Sequence, residues 1–141
     1  MERLDGDAVR DIFPATGFTR PEREAHIRRI GYLAGKLEQN GVWVVASFVS
    51  PYEESRQFVR KLCRQFVEVH VATSLEQCES RDVKGLYAKA RRGEIANFTG
   101  IDDPYEQPTN PELRIDAGVV SAAEAGATVL EYLDGRRGKV M

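Results

Sequence analysis

Short apolar, β-branched runs alternate along the chain with stretches in which apolar residues return every three or four positions, the rhythm of strands alternating with amphipathic helices. Arg3-Leu4 form the end of a first strand, and Asp-Gly-Asp at 5–7 offers Asp7 as the cap of a short helix to about Phe13. From Arg20 to Gln39, Ile27, Ile30, Leu33 and Leu37 recur at helical spacing, and Asn40-Gly41 supply a left-handed stop. Val42 to Val49 is almost wholly apolar, as expected of a parallel strand covered on both faces, and it ends at Ser50-Pro51. A helix from about Tyr52 to Gln65, a strand from Phe66 to Val71 and a helix opened by a Thr73/Glu76 capping box are expected next. Residues 93–112, rich in Gly, Asn, Asp and Pro, predict a long irregular loop of the kind that in compact domains is functional or disordered. Leu113 to Asp116 predict a last short strand, Ser121 with Glu124 caps a closing helix to about Leu133, and residues 136–141 predict a frayed tail. The expectation is one α/β domain over residues 1–135, a parallel sheet with flanking helices.

Composition narrows the function classes. The 141 residues, 42% hydrophobic and 30% charged, suffice for one domain with a real core. Lys and Arg number 20 against 22 Asp and Glu, a net charge of -2 that argues against nucleic acid as the partner while leaving room for a local basic pocket. No apolar stretch approaches a membrane span and charged residues follow Met1, so no membrane role and a cytoplasmic address are expected. Cys63 and Cys78 are too few for a disulfide scaffold or a cysteine metal site and are expected to be reduced and half-buried.

In open parallel sheets, ligands bind beyond the carboxyl ends of the strands, which draws attention to three places. At Leu4-Asp5-Gly6-Asp7 with Arg10 one turn along, carboxylates suit Mg²⁺ or a hydroxyl proton and the guanidinium suits phosphate or sulfate; a helix cap with a surface ion pair fits equally. At Phe48-Val49-Ser50-Pro51-Tyr52 a strand enters a Ser-Pro turn whose backbone can line a ligand slot, with Ser50 also a natural helix cap. Arg81-Asp82-Val83-Lys84-Gly85-Leu86-Tyr87, followed by Lys89, Arg91 and Arg92, suits a cationic lid over phosphates or a plain solvated helix face. Arg23 and His26 lie three apart on one helix face and can both address an anion. Phe18 and Phe98 sit in polar loops beside Gly17 and Gly100, where a ring with no core role can stack on a nucleobase; core packing is the commoner role for any one phenylalanine.

Six of these segments, in order, resemble adenylylsulfate kinase, the family that phosphorylates the ribose 3'-hydroxyl of adenosine 5'-phosphosulfate (APS) with Mg-ATP. They are Leu4-Asp5-Gly6-Asp7 with Arg10, Gly17-Phe18 with Arg20, Ile27-Arg28-Arg29-Ile30, Ser50-Pro51-Tyr52, Lys84-Gly85-Leu86-Tyr87 with Ala90-Arg91, and Phe98 to Glu106. The resemblance implies a P-loop kinase-like sheet and assigns roles along it. Asp7 is the carboxylate near the acceptor hydroxyl and the one residue facing Mg²⁺, through Mg-ATP. Arg10 and Arg23 grip the phosphosulfate, Phe18 and Phe98 sandwich the adenine, and backbone around Phe48, Val49 and Ser50 lines the APS slot. Ser50 matches a serine associated with a phosphorylated form of the family. Arg81 and Lys84 belong to the lid over ATP, with Lys84 near the transferring phosphoryl group.

Two departures qualify this expectation. His26 stands where the family usually carries an asparagine that contacts APS; it is bulkier and can charge near neutral pH. The family also has a strand, a G-x-x-x-x-G-K-[ST] P-loop and a helix ahead of its Asp-Gly-Asp, whereas only Met1-Glu2-Arg3-Leu4 precede that motif here. Neither Gly35-Lys36 nor Gly138-Lys139 has the spacing of a substitute. The first, central strand and the Walker A loop are therefore expected to be missing. Either Val42–Val49 and Phe66–Val71 pair across the gap, or open strand edges recruit another copy or a partner chain, so a homo-oligomer or a completed hetero-assembly is expected. Two functions follow: an APS kinase, inactive or very weak as this chain alone, that uses ATP if its phosphate cradle is completed; or a degenerate kinase domain that binds APS or its 3'-phosphorylated product PAPS as a regulatory module.

Overall fold

The computed structural model describes residues 1–137. β1 (Glu2–Asp5) runs into α1 (Gly6–Ile12) and α2 (Arg20–Gln39) before β2 (Val44–Ser47) returns parallel to β1, with Glu2 beside Val44 and Asp5 beside Ser47. Then come α3 (Glu53–Leu62), β3 (Val69–Val71), α4 (Leu75–Arg81), α5 (Leu86–Arg91), β4 (Leu113–Ile115) and α6 (Ala122–Arg137). β3 and β4 form a second parallel pair, Val69 beside Leu113 and Val71 beside Ile115. The chain divides into two compact units, Met1–Phe66 with Ala90–Thr109, and Val67–Lys89 with the segment from Asn110 onward.

The first unit is built on β1, β2 and α2. Leu4, Val9, Ile30 and Ala34 form its buried core, with Val44, Phe48 and Cys63 packed against them. Burying a side chain of the size of Ile30 or Leu4 contributes about 1.5 to 3 kcal/mol. Small residues on α2 let α3 approach closely. A Cβ on Gly31 would lie 2.7 Å from Cγ2 of Val59, and one on Gly35 would lie 3.1 Å from the Leu62 carbonyl. α2 begins at a capping box of Thr19 and Glu22 and ends at Asn40-Gly41, where Gly41 takes a left-handed φ of 77° as its sequence position predicts.

Several boundaries differ from the sequence reading, each for a local reason. Asp5, not Asp7, caps α1, because β1 continues through Asp5 and its carboxylate accepts from the amides of Asp7 and Ala8 at 3.1 and 3.3 Å. β2 is shorter than the apolar run Val42–Val49 and is not covered on both faces, since Val45 is 52% exposed. α3 starts after Tyr52 and stops at Leu62, where Cys63 turns extended. In the second unit, β3 keeps only Val69–Val71 of the run from Phe66, and Ser74 rather than Thr73 caps α4 by accepting from the Gln77 amide at 3.2 Å. Among the described residues β2 pairs with β1 and β3 with β4, so the expected direct pairing of the β2 and β3 runs is not seen. The stretch 93–112 contains no helix or strand, as expected, and holds a single bridge between Thr99 and Asp103. Ser121 and Glu124 do bracket the start of α6, which continues through Arg137; the rest of the expected tail, 138–141, lies outside the described residues. Both cysteines are free and half-buried.

Candidate ligand-binding site

The α1–α2 loop of the first unit places two guanidiniums on one aromatic ring. Arg10 leaves the last turn of α1, and its Cζ lies 4.2 Å from the centroid of Phe18. Arg23, in the first turns of α2, sits over the same ring at 5.4 Å. Phe18 itself is 52% exposed, so its role is not core packing. Both guanidiniums are anchored by backbone carbonyls. Arg10 Nη1 donates to Thr16 and Gly17 at 3.1 and 3.2 Å, and Arg23 Nε donates to Phe18 at 2.8 Å. Burial, and after it the charge of Arg23, pulls the Arg10 guanidinium below its ordinary pKa, while Asp7 and Glu22 oppose the shift. Two cations held this close, each with donor capacity beyond these carbonyls, make a site for an anion beside a flat ring.

Arg23 also reaches across the unit. Its Nη2 donates to the Asn97 carbonyl at 2.6 Å, and its Nε lies 3.7 Å from Asp103 Oδ2. That contact ties the Phe18 loop to the one carrying Phe98. The second loop is locked by its own carboxylate: Asp102 accepts from the amides of Asn97 and Phe98 at 2.9 and 2.6 Å, with Asn97 in left-handed conformation at φ 55°. The Phe98 carbonyl in turn accepts from the amides of Ile101, Asp102 and Asp103. The two phenylalanines expected to act together thus sit on loops that share one arginine.

Phe48 packs on the core and against the ring of His26, with centroids 5.6 Å apart. Val49 is exposed, and Ser50 takes a left-handed φ of 42°. His26 departs from expectation. Instead of presenting its ring to an anion beside Arg23 it is buried, 3% exposed, and neither ring nitrogen has a hydrogen-bond partner. Burial, then the charges of Arg10 and Arg29, pushes its pKa down, which favours the neutral imidazole. Asp7 is exposed on the first turn of α1.

Two residues to which the sequence reading gave no role tie the Ser50 turn and α3 to the 103–106 segment. Tyr52, 1% exposed, donates its hydroxyl to Asp103 at 2.8 Å and carries the Arg20 guanidinium 4.3 Å over its ring. Arg56, 7% exposed, donates to the carbonyls of Ser50 and Glu106 at 2.7 and 2.6 Å and to the Glu53 carboxylate at 2.5 Å. The one available signal was their adjacency to Ser50-Pro51 and to the Asp103-to-Glu106 segment.

In the second unit, α4 and α5 meet at a tight turn with Asp82 at φ 22° and Gly85 at φ 67°. The Asp82 carboxylate caps α5 by accepting from the amides of Tyr87 and Ala88 at 2.9 and 3.1 Å. Lys84 is exposed at that turn, and Arg81 Nη2 donates to the Ala117 carbonyl at 2.8 Å. Among the described residues no group of three or more His, Cys, Asp or Glu is placed to hold a metal ion, and no helix is long and apolar enough to cross a membrane.

The family model described as adenylylsulphate kinase matches residues 1–116 of the chain. The chain belongs to the adenylylsulphate kinase family. An adenylyl-sulfate kinase of Halothermothrix orenii is 49% identical over 135 residues, which cover 95% of this chain and 73% of that protein. One from Picosynechococcus sp. is 48% identical over 134 residues, covering 94% and 76%. Among solved structures, the Mycobacterium tuberculosis APS kinase in complex with AMPPNP and APS superposes with a TM-score of 0.89 at 40% identity, over 94% of this chain and 79% of that one. The α/β fold with parallel strands is therefore the adenylylsulphate kinase fold over nearly the whole length of this chain.

Proposed function

We propose that the protein serves in the ATP-dependent 3'-phosphorylation of APS to PAPS in sulfate assimilation, as a cytoplasmic protein in which these 141 residues supply the APS side. The observation that carries the reading is the pair Arg10 and Arg23 over the exposed Phe18 ring. A nucleoside phosphosulfate is an anion joined to a flat base, and the cluster offers charge-assisted donors next to a stacking surface. The names of the relatives and the bound molecules of the tuberculosis enzyme support the same ligand.

In this reading Arg10 and Arg23 hold the phosphosulfate, and Phe18 and Phe98 enclose the adenine. Phe48, Val49 and Ser50 line the slot beside His26. Asp7 accepts the proton of the 3'-hydroxyl as its oxygen takes the γ-phosphoryl group and ADP leaves. Arg81 and Lys84 belong to the lid over ATP, where Lys84 neutralises charge on the transferring group. Mg²⁺ comes as part of the co-substrate Mg-ATP. Among the described residues no cluster of ligands gathers around Asp7 to form a resident metal site.

The 141 residues contain no G-x-x-x-x-G-K-[ST] segment. Phosphoryl transfer depends almost entirely on positioning and electrostatics around the phosphates, so turnover by these residues alone is expected to be absent or very weak. The same fact favours a second reading, a regulatory module that binds APS or PAPS. We also propose self-association: β2 has β1 on one edge and no strand on the other among the described residues, and Val45 is exposed. A stable monomer by light scattering would refute it.

The deciding experiment measures APS-dependent ATP turnover over a range of protein concentrations, alongside APS binding by calorimetry. Turnover rising steeply with concentration supports a kinase assembled between chains. Binding without turnover supports the module, and neither binding nor turnover refutes the site.

A further inference from the structure

His26 is the least satisfied polar side chain of the first unit. A neutral imidazole offers one donor and one acceptor, and leaving both buried without partners carries a desolvation cost that most folded proteins avoid. Here it sits on α2 with Phe48 against its ring, and the charged groups acting on it are Arg10 from α1 and Arg29 from α2. The β2 end that packs on it contributes Ser47 and Phe48, neither of which carries charge. The two charges that lower the pKa of the imidazole are thus both cationic. Arg10 also holds one side of the Phe18 ring, so the field on His26 and the field on a bound anion come from the same guanidinium.

We infer that His26 takes up a proton when an anionic nucleotide binds between Arg10 and Arg23, so that ligand affinity is coupled to pH through a buried histidine. The inference rests on the APS reading of this site. In the free protein burial, and after it the charges of Arg10 and Arg29, disfavour the charged ring. A phosphosulfate seated on the two guanidiniums cancels the charge of Arg10 and adds its own negative potential, which raises the pKa of the imidazole. By linkage, a group whose pKa rises on binding makes binding tighter as pH falls across the interval between its free and bound values. The limiting slope for one proton is tenfold in affinity per pH unit. The phosphosulfate itself has no group that titrates in the histidine range, so the dependence belongs to the protein.

The test is calorimetric titration of APS into the 141-residue chain between about pH 6 and pH 8, in buffers of different ionisation enthalpy, with His26→Asn in parallel. The wild type is expected to take up a fraction of a proton and to bind APS several-fold more tightly at the acid end. The variant, which keeps an amide donor and acceptor but cannot titrate, is expected to bind with no proton uptake and a flat profile. If the variant fails to fold, NMR titration of the wild-type imidazole with and without APS decides the matter; only His26 and His70 contribute signals. A His26 pKa that does not rise on binding overturns the inference. So do APS binding without proton uptake and uptake that survives in His26→Asn, and these leave the APS site standing. Failure of the wild type to bind APS at any pH overturns the site reading, and the inference falls with it.

Discussion

Replacing Arg56 with methionine tests how the ligand slot is held together. The guanidinium is almost completely buried and ends in three short hydrogen bonds, to the carbonyls of Ser50 and Glu106 and to the Glu53 carboxylate. Hydrogen bonds to charged groups are worth about 1.5 to 3 kcal/mol each, so simple addition would exceed 4 kcal/mol at ~1.5 per bond. That sum is too large, because Glu53 keeps Gln57 at 2.8 Å and Thr109 at 3.2 Å, and its side chain is partly exposed to water. Methionine also preserves most of the packing of the arginine stem. The two carbonyls losing their donor are the main expense, and a loss of about 3 kcal/mol is expected, in the range for breaking a buried pair. Urea denaturation of the wild type, Arg56→Met and Arg56→Lys measures it. Lysine should recover only part, because a single ammonium cannot reproduce the guanidinium fork. A loss below about 1 kcal/mol would show that the slot does not depend on this network.

The same network predicts a pH effect. Burial alone would raise the Glu53 carboxyl, but hydrogen bonds from Arg56 and Gln57 outweigh it and hold the group below the usual carboxylate range. Its contribution is present above the unfolded carboxylate pKa and lost as pH falls through the lower folded value, so the gap between wild type and Arg56→Met should narrow in acid. Arg23→Ala is expected to weaken APS binding by roughly 1.5 to 3 kcal/mol, and unchanged affinity by calorimetry would remove that assignment. Lys84→Ala should lower turnover of an active assembly more than its APS affinity; a loss of binding with turnover intact would contradict a lid role. Gly31→Ala should cost about 1 to 3 kcal/mol in thermal or chemical denaturation, since its methyl would press into Val59 and the gain in helix propensity does not compensate; a neutral result would mean that α3 can shift away from α2.

What the sequence revealed depends on the range of the forces involved. α2 was legible end to end, because Ile27, Ile30, Leu33 and Leu37 set its period and Asn40-Gly41 set its stop, all within a few residues; the Thr19/Glu22 capping box at its start went unread. β2 was overdrawn for the opposite reason. Apolar character from Val42 to Val49 marks a strand with a covering on each face, but where a strand stops is decided by its pairing partner, and β1 offers only the four residues Glu2–Asp5. Caps moved by one or two positions for a similar cause: Asp5 and Asp7 have the same chemistry, and only the end of β1 selects between them. In the site, Arg10, Phe18 and Arg23 could be proposed from residue type and order, since all three lie within one loop and the helix turns beside it. The bond from Arg23 to Asn97 spans 74 positions and has no local signature. Tyr52 and Arg56 likewise take their meaning from residues 103–106, which no periodicity joins to α3.

These long-range ties explain why the ligand side is expected to work without the phosphate side. Arg23 fixes the Phe18 loop to the Phe98 loop, Tyr52 anchors Asp103 of the latter, and Arg56 ties the Ser50 turn to Glu106. Every one of these partners belongs to the first unit, and none is a residue of the α4–α5 turn where Lys84 sits. A site preorganised in this way gives up little further entropy when it takes an anion and a flat ring, so APS affinity should be largely independent of whatever completes the phosphate cradle. Turnover has no such independence, because it needs the γ-phosphoryl group positioned as well. Arg23→Ala and Arg56→Met should therefore change APS affinity equally in the isolated chain and in any active assembly, whereas Lys84→Ala should matter only where turnover is measured. Arg23→Ala or Arg56→Met altering turnover while leaving APS affinity untouched would show that the two sides are not separable.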